Sequence, residues 1–277
     1  MLILPAFLQQ GRSDFDREAA AFLAELSDIA YGEREQAFTA LVARGAKEAT
    51  FFSKHNTHCV LVDFGSFRVV AFRGAEAHET KGVIAALKGN RCKLSAGGIS
   101  KNGITVHGGF MAAVDRIWDA LYPKIASQNS PLYITGHGLG GALGVLLAGM
   151  RIARETKSPI KDNLAAVYSF GCPKIGNAAF ANFIKSPVGI RHHRVVNSTD
   201  IVALLPFPSP RYRHAGELHY IDGNGEIHSE IGRLDQFKDQ VCTILNSLAD
   251  GDGFKGWLPW QLYAAHSIGV YFRRLRE

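Results

Sequence analysis

No apolar run in this chain reaches the roughly 18 residues that a membrane-spanning helix needs, although 47% of its 277 residues are hydrophobic. Cysteine is scarce: Cys59, Cys92, Cys172 and Cys242 are scattered with no CxxC pair. That spacing argues against a zinc ribbon and a dense disulfide framework and leaves one bridge open. Internal repeats and low-complexity linkers are lacking. The opening stretch MLILPAFLQQGRSD has a short apolar piece but neither a basic leader nor a small-residue cleavage site, so it reads poorly as a secretory signal, and the expected location is cytoplasmic or leaderless secreted. The formal net charge of +6 has one tight basic cluster, Arg273, Arg274 and Arg276 in the tail. A solvated basic surface is expected there, and no nucleic-acid partner.

What is present is enough apolar material for one substantial core. A single domain over residues 1–277 is expected, with N-terminal helices at about 13–47 and a lid candidate at about 76–102. Ser13 is placed to cap a helix through residue 31, with Phe15, Ala19, Phe22, Leu23 and Leu26 on one face, and a second helix is expected over 33–46. The runs THCVLVDFG and FRVVAFRG, split by Gly65 and Ser66, read as a hairpin of core strands. The Gly/Lys-rich stretch 75–102 is long for a connection, with a short helical piece carrying Val83, Ile84 and Leu87. Further on come a helix over 109–126, the strand PLYIT, a glycine turn, an Ala/Leu-rich helix to about 155, the strand LAAVYSFG, a helix near 177–184 and the strand HHRVVN. A hairpin around YIDGNGEI and helices containing 233–248 and 264–275 complete the chain. Strands alternating with helices predict an α/β fold with a mostly parallel sheet covered on both faces.

The turn Gly136-His137-Gly138-Leu139-Gly140-Gly141 satisfies G-x-G-x-x-G between a strand and a helix, the pattern of a dinucleotide loop. The following strand ends in Gly171 and Cys172, with no acid to hold a ribose hydroxyl, and the turn lies deep in the chain rather than opening a βαβ unit. The other template is the nucleophile elbow G-x-S-x-G, a sharp strand-to-helix turn that lifts its central side chain above the sheet. Gly136, Gly138 and Gly140 supply that frame, with glycine where the serine belongs. The segment DGNGE has oxygen ligands at alternating positions but lacks the rest of a calcium loop and sits where a hairpin turn is expected. No metal and no cofactor are expected.

Six segments occur in one order: VVAFRGA, VHGGF, ITGHGLGGALG, YSFGCPKIGN, RVVNSTDIVALLP and HSIGVYF. Together they resemble the fungal-type class 3 lipases, over residues 69–272. The resemblance implies an α/β-hydrolase fold, an ester or lipid substrate, transient contact with a lipid interface, and a triad in the order nucleophile, acid, histidine. Carried across, it puts the nucleophile at Gly138, the acid at Asp200 and the base at His266. Residue chemistry alone leaves the base open among His214, His219, His228 and His266. The oxyanion hole falls to the backbone N–H groups of Ala75 and Leu139. Arg73, His107 and His137 also match, and are read as structural hydrogen-bonding residues. Val83, Ile84 and Leu87 become candidates for the apolar face of a lid.

Glycine offers neither a nucleophilic oxygen nor a proton for His266 to take, so an acyl-enzyme route is closed in the chain as written. Two origins compete: a natural pseudo-enzyme kept for binding a lipid or protein partner, or an engineered or very recent loss of serine. Retention of Asp200, His266 and the elbow glycines favours the second. With serine restored, the expected reaction is hydrolysis of acylglycerol-type esters, the alternatives within the family being phospholipase and feruloyl-type esterase activity.

Overall fold

The structure, a computed structural model, describes residues 4–75, 94–95, 103–153, 160–186, 189–206, 211–229, 231–249 and 264–277. The lid candidates Val83, Ile84 and Leu87 lie outside the described residues. The short helix α1 (Ala6–Gln9) leads to α2 (Arg17–Ile29) and α3 (Arg34–Ala43). Then follow strands β1 (Glu48–Lys54), β2 (Thr57–Asp63) and β3 (Arg68–Phe72), and the short pair β4 (Leu94–Ser95) and β5 (Val106–His107). Next come α4 (Gly108–Ala126), β6 (Leu132–His137), α5 (Leu139–Leu146) running on as a π-helix (Leu147–Ile152), α6 (Ile160–Asn163) and β7 (Leu164–Phe170). The chain ends with α7 (Ala178–Lys185), β8 (His192–Asn197), a 3-10 turn (Val202–Leu204), β9 (Glu217–Ile221), β10 (Ile227–His228), α8 (Arg233–Ala249) and α9 (Ile268–Arg276).

Eight strands form one sheet in the order β1-β2-β3-β6-β7-β8-β9-β10. β3, β6, β7, β8 and β9 run parallel, while β1-β2-β3 and β9-β10 are antiparallel hairpin ribbons at the two edges. The alternation along the central strands sorts their side chains into two layers. Val70, Phe72, Leu132 and Ile134 pack with α4, α5 and α7 on one face. Val69, Ala71 and Tyr133 pack with α2 and α9 on the other. α5 is apolar all round and carries Gly140, Gly141 and Gly144 because it is buried on every side.

Several boundaries differ from the expected ones. The cap of α2 is Asp16, extended at φ −134° and ψ 130°, whose carboxylate accepts the Ala19 N–H at 2.7 Å. Ser13 and Phe15 precede the helix and pack on the sheet instead. The strand β1 was not foreseen, and the last helix begins at Ile268, which leaves His266 on the turn before it. The buried Arg68 donates from its guanidinium to three carbonyls, that of Ile125 in the last turn of α4 and those of Gln128 and Ser130 just beyond it, at 2.9, 2.7 and 3.0 Å, closing the helix end.

Five histidines, His107, His137, His192, His193 and His219, are buried. In each, burial is the largest cause holding the imidazole below its ordinary pKa, down to about 3 for His219. The unfolded chain therefore binds protons in this range that the folded chain does not, so stability is complete above the ordinary histidine pKa of about 6.5 and falls as pH drops below it. Each histidine adds a slope of up to about 1.4 kcal/mol per pH unit. Urea midpoints measured between pH 7.5 and 5 should fall steadily; a flat profile would show that these rings are not held neutral.

Candidate active site

β6 delivers the chain into α5 with almost no connecting segment, and the turn closes only because side chains are missing. A Cβ on Gly136 would stand 2.3 Å from the carbonyl carbon of Gly140, and one on Gly140 2.4 Å from the Phe72 carbonyl oxygen. Between them Gly138 adopts φ 54° and ψ −117°, a backbone conformation that L-residues adopt only under strain. Its N–H donates to the Phe170 carbonyl at 2.8 Å and its carbonyl accepts from Ala142 N at 3.2 Å. The Cα–Cβ direction at this residue leads out of the sheet edge towards one ring: a Cβ there would lie 2.9 Å from His266 Nε2 and 3.2 Å from Cε1.

His266 reaches this place from the turn before α9, and the turn is held through its backbone. The His266 carbonyl accepts from His137 Nε2 at 2.5 Å, and the Ala265 carbonyl accepts from Asn197 Nδ2 at 2.9 Å. A carbonyl only accepts, so His137 carries its proton on Nε2 and its Nδ1 accepts a hydrogen bond from the Tyr31 hydroxyl at 2.9 Å. Burial, with a smaller contribution from the neighbouring His266 ring, holds His137 well below the usual histidine range, which preserves this neutral tautomer.

His266 Nδ1 donates to Asp200 Oδ2 at 2.8 Å, which leaves the Nε2 lone pair facing Gly138. The buried Asp200 follows β8. Its Oδ1 accepts from Val202 N at 2.8 Å, and its Oδ2 also accepts from the Tyr271 hydroxyl at 2.6 Å. The Tyr271 oxygen in turn accepts from Asn197 N at 3.0 Å, and burial together with the Asp200 charge pushes this phenol well above its ordinary pKa. Gly171, at φ 58°, forms the floor of the pair: a Cβ there would sit 2.5 Å from Asp200 Oδ2 and 2.8 Å from His266 Nδ1.

Gly138, Asp200 and His266 thus converge, and an imidazole so placed can take a proton from a hydroxyl carried at position 138. Leu139 is the first residue of α5, where helical N–H groups have no partner within the helix. Gly74 packs against the elbow, since a Cβ there would meet the His137 carbonyl at 2.5 Å, and Ala75 follows it directly. Of the other histidines left open by residue chemistry, His219 contacts His193 and His228 contacts Asp222. His107 caps α4, its Nδ1 accepting from Phe110 N at 3.2 Å, and Arg73 pairs its own N–H with the His58 carbonyl at 3.1 Å. DGNGE is the β9-β10 turn, with Asp222 Oδ1 accepting the N–H groups of Asn224 and Glu226.

Tyr271, Asn197, Tyr31 and Gly171 were not singled out from the sequence. Tyr271, Asn197 and Gly171 each lie inside a matching segment, HSIGVYF, RVVNSTDIVALLP and YSFGCPKIGN respectively, which was their one signal, and a tyrosine at helical spacing reads first as core.

A mostly parallel sheet, helices on both faces and a strand-elbow-helix unit with an acid and a histidine above it define the α/β-hydrolase fold. A family model described as lipase (class 3) matches residues 69–209, and the chain belongs to that family. It is 34% identical over 176 residues to the secreted mono- and diacylglycerol lipase MDL3 of Malassezia globosa, a match covering 61% of this chain and 51% of that protein. It is 35% identical over 128 residues to a lipase of Rhizomucor miehei, covering 44% and 34% respectively. The chain therefore spans between a third and about half of the length of these relatives. Among solved structures, the triacylglyceride lipase of Rhizomucor miehei superposes with a TM-score of 0.66 at 24% identity, over 79% of this chain and 87% of that one. A lipase from Rhizopus microsporus var. chinensis gives 0.61 at 24% identity over 76% of each.

Replacing Tyr271 by phenylalanine deletes a hydrogen bond to a buried carboxylate and leaves the Asn197 N–H without its acceptor. Tyr271→Phe should lower stability by about 1.5–3 kcal/mol. Urea unfolding measures it, and a loss under about 0.5 kcal/mol would remove Tyr271 from the support of Asp200.

Proposed function

We propose that this chain is the scaffold of a single-domain lipase or carboxylesterase that hydrolyses acylglycerol-type esters through an acyl-enzyme when position 138 is serine, and that Gly138 leaves it nearly inactive. The observation that carries the reading is the aim of His266: Nδ1 on Asp200 at 2.8 Å, Nε2 at 2.9 Å from where a Cβ on Gly138 would stand. In the proposed reaction the serine oxygen attacks the ester carbonyl while Nε2 takes its proton. Asp200 steadies the imidazolium, and the N–H groups of Leu139 and Ala75 receive the developing oxyanion. Nε2 then returns the proton to the departing alcohol, and a water activated by the same nitrogen releases the acid. Ala75 brings no hydroxyl of its own, so oxyanion stabilisation rests on backbone donors. The family and the mono-, di- and triacylglycerol lipases among the relatives support an acylglycerol substrate and a transient contact with its lipid surface.

The Cβ position at Gly138 is closer to Nε2 than an ordinary van der Waals contact. The ring occupies space that a serine would use, and must withdraw by a few tenths of an ångström when one is present. A catalytically silent binding module is the second reading this contact favours, because the ring then closes the nucleophile's place.

Gly138→Ser should raise hydrolysis of a short p-nitrophenyl ester by about 10⁴-fold or more, since loss of a hydrolase nucleophile costs about a millionfold. Adding His266→Ala or Asp200→Ala should remove the gain. A folded Gly138→Ser protein with no gain would overturn the hydrolase reading and leave the binding module.

A further inference from the structure

The sheet carries a second histidine cluster, away from Gly138, where β8 begins. His193 pairs with Glu217 across β8 and β9, and His219 follows two residues later, so the three side chains rise from one face of the sheet. His193 Nδ1 lies 3.1 Å from His219 Nε2 and 3.7 Å from Glu217 Oε2, and one donor atom from each of the three residues falls within 4.8 Å of the others. Two donors on one tetrahedral zinc ion, with bonds near 2.0–2.1 Å, stand roughly 3.3 Å apart. The observed spacings bracket that value.

One of the two imidazoles is already held as a ligand is. His193 Nε2–H donates to the Ser13 carbonyl at 2.8 Å, which fixes the tautomer and turns the Nδ1 lone pair towards the other two groups. Because that Nδ1 accepts, His219 Nε2 carries the hydrogen in the 3.1 Å contact, and an ion binds there by displacing that proton; the His219 ring itself is clamped flat against Phe15, centroids 3.7 Å apart and planes 11° apart. Burial keeps both rings neutral, the form that binds metal. Glu217 is exposed and reaches the cluster from the solvent side, paired loosely with Arg191 at 3.6 Å, so an ion has an entry path and a carboxylate free to turn. The other cluster among the described residues, Asp222, Glu226 and His228, differs: Asp222 Oδ1 is already committed to two turn N–H groups and Oδ2 to His228.

We propose that His193, Glu217 and His219 bind one zinc-type divalent ion, with water as the fourth ligand, as a structural clip. The site departs from the expectation of no metal and is independent of the reading of Gly138. An ion there ties β9 to β8 and, through the Ser13 carbonyl, to the segment that enters α2.

The test uses tag-free full-length protein, stripped with a chelator and titrated with Co²⁺, with Zn²⁺ added in parallel thermal unfolding. One equivalent of Co²⁺ should give the visible absorption of a four-coordinate ion, Zn²⁺ should displace it and raise Tm, and Asp222→Asn should leave both unchanged. Glu217→Gln and His219→Gln should each weaken binding by about tenfold or more. If His219→Gln fails to fold, the exposed Glu217→Gln decides. Absence of the Co²⁺ band and of any Zn²⁺-dependent rise in Tm would overturn the site, as would a band lost in Asp222→Asn but kept in Glu217→Gln.

Discussion

The chain turns from β6 into α5 between Gly136 and Gly140, and at both of those residues a side chain would collide with backbone. Because neither can move apart without breaking the packing of α5 on β3, β6 and β7, the residue between them is forced to a positive φ and its Cβ direction is fixed. Everything proposed for the site depends on that direction. A serine held there would carry strain on the order of 1–3 kcal/mol, which glycine avoids.

The histidine is positioned by a different device. His266 lies on a turn, not on a helix or strand, and two carbonyls of that turn are hydrogen-bonded by His137, one residue ahead of Gly138, and by Asn197 at the end of β8. The elbow and the turn are thereby joined directly: His137, beside Gly138, holds the residue that faces Gly138. The buried carboxylate of Asp200 receives hydrogen bonds from Val202, Tyr271 and His266, enough to keep a charge in a dry place. Side chains buried for the sake of geometry thus also set which nitrogen bears the proton.

Local pattern carried most of the fold. The β-rich apolar runs in THCVLVD, RVVAF and the central strands are signals of burial on both faces that need no partner to be read. Where a neighbour across the sheet decided the outcome, sequence was less informative. Phe15 has the spacing of a helical core residue, yet it stacks on His219, and Asp16 rather than Ser13 caps α2 because Tyr168 and His193 hydrogen-bond the backbone from Ser13 to Asp16 and keep it out of the helix. At the site, the family motifs single out Gly138, Asp200 and His266, which stand together in the structure, whereas residue chemistry left four histidines open. Gly171 and Tyr271 were illegible because their roles exist only in three dimensions: one is defined by the space a Cβ would take, the other by a carboxylate 71 residues away.

The central claim is that position 138 stands between a proton acceptor, His266 Nε2, and two backbone donors, Leu139 and Ala75. The most direct measurement is a crystal structure of the Gly138→Ser protein after reaction with a p-nitrophenyl alkylphosphonate. Phosphorus should be bonded to the introduced hydroxyl, with the phosphoryl oxygen about 2.7–3.1 Å from the N–H nitrogens of both Leu139 and Ala75, and with His266 drawn back but still on Asp200. A folded protein that forms no adduct, or an adduct whose phosphoryl oxygen points away from those two amides, would contradict it.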